Sequence, residues 1–511
     1  MTKFKTFQKV LMMGVAAGAL SACGADDVAS PGDGVIVVPA PAPAPAPTPS
    51  PTPTPTPGEA AASCPTGTAN VGTIEVGGAG SGDNRRVCQV SGTIRGSLTL
   101  ENLAGTIYSL NGKVEVGDDL GPDAGSPLAG TAGTLTIEEG VTIFASAVQD
   151  FLVVNRGSQI FVDGAADAPV VFTARKNVLG TVGESEVGLW GGIVVLGRAP
   201  IGDCDLPTTP CQAQVEGSDD IYGGTSASDN SGRLEYLQVR YAGYEVLTDN
   251  ELNGITLGGV GDGTVVDHVQ VHNNLDDGME WFGGTVNNYH LVMTGNGDEM
   301  LDYDSGYDGA TQFVIGIQYA GRGDKIIEVD SDDKPRDATP RTNVEISNAT
   351  FYTPLDEYMH IRGEADIAIY NTVINAVNDK ACFNINEDNT AGANGGAPDE
   401  LGEPRFKSVV LDCGTDPIRD DGDVSVATIQ ALFAGNNNNL TFTSTLTDMF
   451  INGDNETAVT FSSTADLENA DAFTDVTYIG AVPQDGSNNW YDGWTCGLVG
   501  QASCLEIPAA G

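Results

Sequence analysis

Residues 254–275 read GITLGGVGDGTVVDHVQVHNNL, and three further lines resemble them: DDGMEWFGGTVNNYHLVMTGNG over 276–297, DEMLDYDSGYDGATQFVIGIQYAGRG over 298–323, and DKIIEVDSDD over 324–333. His268 recurs as His290, 22 residues on, and Phe313 takes the same place 23 residues later. A period in the low twenties, with two or three short alternating strands per unit and no helical spacing, is how one coil of a parallel β-solenoid is written in sequence. The pattern predicts an all-β parallel β-helix.

The same punctuation extends both ways. Upstream, GTLTIEEGVTIFA, DFLVVNRGSQIFVDG and APVVFTARK each hold one strand's worth of β-branched residues closed by glycine or a charged residue. Downstream, NVEISNATFYT and DIAIYNTVINA are offset by 23 residues. Glycine, asparagine and acidic residues over 389–423 predict a long surface loop, and the remainder, VATIQALFAGNNNNLTF and TDMFINGDNETAVTF, is expected to include one short helix before a closing element. Trp490 and Trp494 are expected to cap the last coil, because an open solenoid end presents unpaired strand edges. One β-helix domain with a C-terminal cap is expected over residues 63–511.

Asp+Glu number 70 against 23 Lys+Arg, a formal net charge of −47. Such a surface repels phosphate backbones and concentrates cations, which excludes nucleic acid as a partner. The first residues set an address. Lys3, Lys5 and Lys9 precede an apolar run, Val10 to Leu20, with the charge order of a secretory signal and too few residues to span a bilayer. Leu20-Ser21-Ala22-Cys23 resembles the bacterial lipobox, which implies a lipoprotein signal peptide over residues 1–22 and lipidation of Cys23, with an outer-membrane destination on the periplasmic face or at the cell surface. Alternating proline from Pro39 to Pro57 makes residues 23–62 a lipid-anchored Pro-rich linker without a core. A polyproline II rod of that length spans roughly 60 Å.

Nine cysteines minus Cys23 leave Cys64, Cys88, Cys204, Cys211, Cys382, Cys413, Cys496 and Cys504. An even number in an exported chain predicts disulfides, and pairing of sequence neighbours is the simplest of many connectivities. No CxxC spacing points to zinc or to a redox centre.

The order of LTIEEGVTI and FLVVNRGSQIFVDGAADAPVVFTA resembles the opening coils of bacterial right-handed parallel β-helix proteins of the pectate-lyase-like superfamily. GLWGGIVVLGRAPIG, VEGSDDIYGG, NSGRLEYLQVRYAG and the repeat stretch itself look like a family of exported bacterial β-helix lipoproteins that is mostly described as hypothetical. The resemblance implies a right-handed β-helix and an exported location, and it brings no catalytic set.

In a strand alternate side chains share a face, so Asp302 goes with Asp304 and Glu328 with Asp330. The repeat places LDYDSG beside IEVDSD on coils about 4.8 Å apart, with Asp276, Asp277, Asp298, Asp332 and Asp333 at the flanking turns. Carboxylates so close need a counter-charge, and an oxygen-seeking cation, calcium, is expected on Asp302, Asp304, Glu328, Asp330 and Asp332. The alternative is a solvated acidic face relieved by Lys325, Lys334, Arg336 and Arg362. Trp281, Tyr303, Arg336 and Arg362 are the candidate ligand-binding residues. The four histidines, His268, His272, His290 and His360, are expected as stacked structural side chains rather than a metal set. The residues favour calcium-dependent binding of a glycan, a surface polymer or an outer-membrane receptor. The alternatives are a polysaccharide lyase or glycoside hydrolase on the same scaffold, with Lys325, Arg336, Arg362 or Lys380 as base, and a structural or adhesion protein.

Overall fold

The structure is a computed structural model that describes residues 55–508 apart from 205, 207, 248–249, 332–338, 355–357, 378–379, 393–400 and 421–423. The signal segment, Cys23 and nearly all of the proline run lie outside the described residues, as do Asp332, Asp333, Lys334 and Arg336.

Within residues 54–511 the strands form one sheet of 25, in which nearly every pairing is parallel and joins a strand to the equivalent strand one coil on. Three stacks result. Stack A includes Phe151–Val154, Ile193–Leu196, Ile255–Val260, Met279–Gly284, Leu301–Asp304, Ile327–Val329, Met359–Ile361 and Phe383–Ile385. Stacks B and C are the two halves of the long strands Gly232–Arg240, Val265–His272, Asn288–Thr294, Asp308–Ile317 and Asn343–Thr353. This all-β, largely parallel architecture is consistent with a right-handed β-helix. Among the described residues the only antiparallel strand partner in the large sheet is Ala69–Val76, which pairs with Asp83–Ile94. Backbone hydrogen bonds to the first coils begin at Gly58, whose carbonyl accepts from Asn84, and Ala61, whose N–H donates to Gly105.

The corner between stacks B and C has a local cause. Tyr236, His268, His290, Phe313, Asn348, Asn371 and Ser408 each have φ between 50° and 64°. A non-glycine residue in this region costs free energy, and its recurrence coil after coil marks a bend the solenoid needs. Side-chain stacking offsets the cost: Tyr236 on His268 at 4.3 Å, His268 on His290 at 4.2 Å and His290 on Phe313 at 4.8 Å. His268 and His290 are therefore stacked structural side chains, and their Nδ1 atoms share Asp267 Oδ1 at 2.8 and 2.7 Å.

Two expectations for the C-terminal third are corrected. Trp490 and Trp494 do not cap the last coil. They lie against this corner, Trp494 5.5 Å from His268 and Trp490 5.0 Å from His290 between ring centres. The tail runs back along the solenoid as a strap, held by side-chain amides that mimic a strand. Gln270 exchanges two hydrogen bonds with the Cys496 backbone (2.8 and 2.9 Å), Gln312 two with Thr474 (2.9 and 2.8 Å), and Asn371 two with Ser462 (2.9 and 2.7 Å). The strap reaches the first coils, where Arg85 Nη2 donates to Pro508 O. The core is closed instead by the helix Val426–Leu432, whose Ile429 is buried and whose C-cap Phe433 stacks on Phe406 at 4.2 Å. Nor is 389–423 all loop: Arg405–Lys407 and Val410–Asp412 continue stacks B and C.

Disulfides join Cys64–Cys88, Cys204–Cys211, Cys382–Cys413 and Cys496–Cys504, the neighbour pairing.

Candidate functional site

One outward row of stack A reads, in register, Val153, Val194, Thr256, Glu280, Asp302, Glu328, His360 and Asn384. Its character changes along the row, and the change positions the site. Where the row is apolar, the excursion between Leu196 and Gly232, tied by Cys204–Cys211, covers it with Ile201, Val215 and Tyr222. The cover ends beside half-buried Phe282, where acids begin. There Asp203, Glu216, Tyr222, Phe282 and Asp304 line an open cleft of about 340 Å³.

A second ladder stands at the turns leading into stack A. Asn253 Oδ1 accepts from the Asp277 N–H at 3.3 Å, and Asp277 Oδ1 accepts from the Glu299 N–H at 2.9 Å. One carboxylate oxygen each from Asp277, Glu299 and Asp302 lies within 4.8 Å of the others. The same holds for Asp276, Asp277 and Asp298, and for Asp298, Glu299 and Asp324. The acids thus form one continuous ridge across three coils.

The charges along it are not treated alike. Lys325 Nζ sits 3.0 Å from Glu299 and 2.9 Å from Glu328, while Arg362 Nε is 2.6 Å from Glu328 and 2.9 Å from Asp330. Burial opposes ionisation of Glu328, but His360, Lys325 and Arg362 outweigh it and hold its carboxyl at about 2. Among the described residues Glu280 and Asp302 have no such partner: burial, then neighbouring acids, push both far above the usual carboxylate range. Glu280 Oε2 accepts from Asn253 Nδ2, whereas Asp302 Oδ1 is shielded from water and has no hydrogen-bond partner. Burial and Asp298 raise Asp276 to about 8, and burial and Asp298, against Lys325, raise Glu299 to about 7. A buried acceptor left unpaired is costly. An all-carboxylate set that includes a residue with an orphaned oxygen fits a hard cation such as calcium, and it lacks the nitrogen and sulfur donors typical of a zinc site.

The sequence-predicted residues divide accordingly. Asp302 and Glu328 are brought together as register partners, but Glu328 and Asp330 are neutralised by Lys325 and Arg362, the cations expected on a solvated face. Asp304 lines the cleft. Asp332 and Arg336 lie outside the described residues. Trp281 and Tyr303 are corrected as ligand-binding residues: both are fully buried, stacked on each other at 4.5 Å, and hydrogen-bonded inward to Asn288 and Thr311. The reason is the alternation that exposes Asp302 and Asp304, which must turn Tyr303 to the core. Glu280 and Glu299 were not among the expected ligands, although the 22-residue offsets Glu280 to Asp302 and Asp277 to Glu299 were the signal for them.

Neither a curated protein nor a solved structure matches the chain. Residues 92–495 do match one protein family, covering every coil of stack A described above and most of the strap. By that match the chain belongs to the family described as the pectate-lyase like beta helix domain.

Proposed function

We propose that the protein acts on a polysaccharide laid along the outer face of stack A, with calcium held by Asp277, Glu299 and Asp302 and supported by Asp276 and Asp298. The observation that carries this reading is that Asp302, one of whose carboxylate oxygens clusters with those of Asp277 and Glu299, also has a water-shielded Oδ1 without a hydrogen-bond partner among the described residues. Family membership favours a carbohydrate-active enzyme over the calcium-dependent binding lipoprotein that the sequence alone favours. Glu328 ionised and Glu280 protonated, one on each side of Asp302 in the row, are carboxylates in opposite protonation states and would supply the base and acid that glycosidic cleavage needs. A bound cation would neutralise an acidic sugar's carboxylate. Glu280 would donate a proton toward the leaving oxygen, and Phe282 and Tyr222 would wall the cleft.

Binding without cleavage is the second reading. The favouring observation is that Lys325 is engaged by Glu299, Asp324 and Glu328, which hold its ammonium protonated and unsuited to abstracting a proton. Reducing-end release and unsaturated-product absorbance on a panel of neutral and uronate polymers, with calcium and with chelator, separate the two. Calcium-dependent product supports the enzyme, calcium-dependent retention without product supports binding, and neither outcome ends the proposal.

The address belongs to the same proposal: an outer-membrane lipoprotein lipidated at Cys23 and spaced by its proline run. Palmitate labelling and membrane fractionation that survive Cys23→Ser would overturn it.

A further inference from the structure

A second cavity lies away from the acidic row, where stack C ends and the strap passes. It encloses about 420 Å³ and is walled by the rings of Tyr241, His272 and Tyr319, by Arg322, and by the tail loop that Cys496–Cys504 closes. That size is within the usual range for small-molecule sites. The His272 ring stands edge-on between the two tyrosines, 5.6 Å from Tyr241 and 6.3 Å from Tyr319, and its Nδ1 is taken by Thr294 Oγ1 at 2.8 Å. Tyr241 donates its hydroxyl proton to Cys504 O at 3.1 Å, which fixes that ring against the tail loop.

The lining carries one arginine against one acid, in a chain where acids far outnumber bases. Arg322 donates to the carbonyls of Gly295 and Ser185. Buried Arg240, next in sequence to Tyr241, donates to Gln238 Oε1 and to the carbonyls of Cys504 and Glu506. Every one of these acceptors is neutral, and among the described residues neither guanidinium is in an ion pair. Arg240 is enclosed behind the wall, whereas Arg322 lies on it, and in a chain of net charge −47 an arginine left on a cavity wall without a carboxylate is a conspicuous expense unless an anion completes it. Glu184 is the one acid on the lining, and it is exposed at the rim.

We propose that this cavity is a ligand site for a small organic monoanion, a carboxylate carried on a six-membered ring. The ring packs against half-exposed Tyr319 and the carboxylate faces Arg322. Aromatic walls with a planar cation suit that combination and disfavour polyphosphates, which offer no apolar face. A sugar acid and an aromatic acid both present that combination, and the chemistry recognised is the same.

Calorimetric titration of the full chain in excess chelator tests this without involving the acidic ridge. The probes are galacturonate and benzoate, with galactose and phenol as their uncharged counterparts. At least one acid is expected to bind one per chain, at least tenfold more tightly than its counterpart. The acid that binds identifies a sugar or an aromatic source. Arg322→Gln is expected to weaken binding at least tenfold at unchanged melting temperature, and Tyr319→Ala, at the half-exposed rim, to weaken it as well. Absence of saturable binding by both acids, equal binding of acid and counterpart, or native affinity in both variants overturns the proposal.

Discussion

Asp302 and Glu328 are register partners on adjacent strands of stack A, yet among the described residues only Glu328 is met by cations. Two like acids in one row are thus kept in opposite charge states, and the boundary between them falls where Asp277 and Glu299 close in from the turn. The ridge is divided into a half the protein neutralises itself and a half it leaves for something else.

Replacing the acid at that boundary separates these halves. In chelator, Asp302→Asn should melt at or above the native temperature, because a disfavoured buried charge is gone. In calcium the native protein should gain stability by mass action, about 2.7 kcal/mol at a hundredfold excess over the dissociation constant, and the variant should keep less than half of that rise. Superposable melting curves for both proteins in both buffers would remove the cation site.

The pH dependence follows from the raised acids. Asp276 and Glu299 titrate near 8 and 7 in the folded protein, against about 3.9 and about 4.3 when unfolded. The protonated form is therefore favoured by folding, and the stability they contribute is fully present below about pH 4 and is lost as pH rises through 7 and 8. Glu328, held at about 2, acts in the other direction: its contribution is present above about pH 4.3 and fades as pH falls toward 2. In chelator the melting temperature should decline from pH 5 to pH 8, and calcium should flatten that decline. A flat profile without calcium would contradict the assigned environments.

Lys325 bridges Glu299 and Glu328 from a largely buried position. Lys325→Met leaves both carboxylates without it and should cost roughly 3 kcal/mol in chelator. Calcium should recover part of the loss, read as a larger calcium-induced rise in melting temperature than native. An unchanged chelator melting point would mean that the ammonium contributes nothing.

Trp281→Ala should destabilise by about 3–5 kcal/mol, because it empties a fully enclosed ring site in the core. Tyr303→Phe should cost only about 1 kcal/mol, the net worth of its hydrogen bond to Thr311, and should leave glycan handling intact. A large loss of glycan affinity in Tyr303→Phe at native stability would put that ring back at the ligand.

The repeat made the coil visible, because a solenoid prints each turn of its backbone as one line of sequence. Alternation then placed Asp302 outward, and the same alternation applied to Tyr303 would have placed it inward. What could not be read was the pairing partner of each acid. Lys325 follows Asp324 in the chain, but whether it faces Glu299, Glu328 or water depends on where the turn directs its long side chain. Residues 473–498 were equally opaque. Beside the Trp490 and Trp494 rings, what holds them in place is single backbone groups bound by Gln270 and Gln312 more than 150 positions away, and backbone groups leave no pattern in composition.

Those amide clips also limit how this protein can change. Each clip holds one point of the tail to one particular coil, so inserting or deleting a coil would displace every later attachment by about 4.8 Å. Solenoids without such a fastening can lengthen by simple duplication. Here, a gain of one coil would have to be matched by added length in the tail, so the number of coils and the length of the C-terminal segment are expected to vary together.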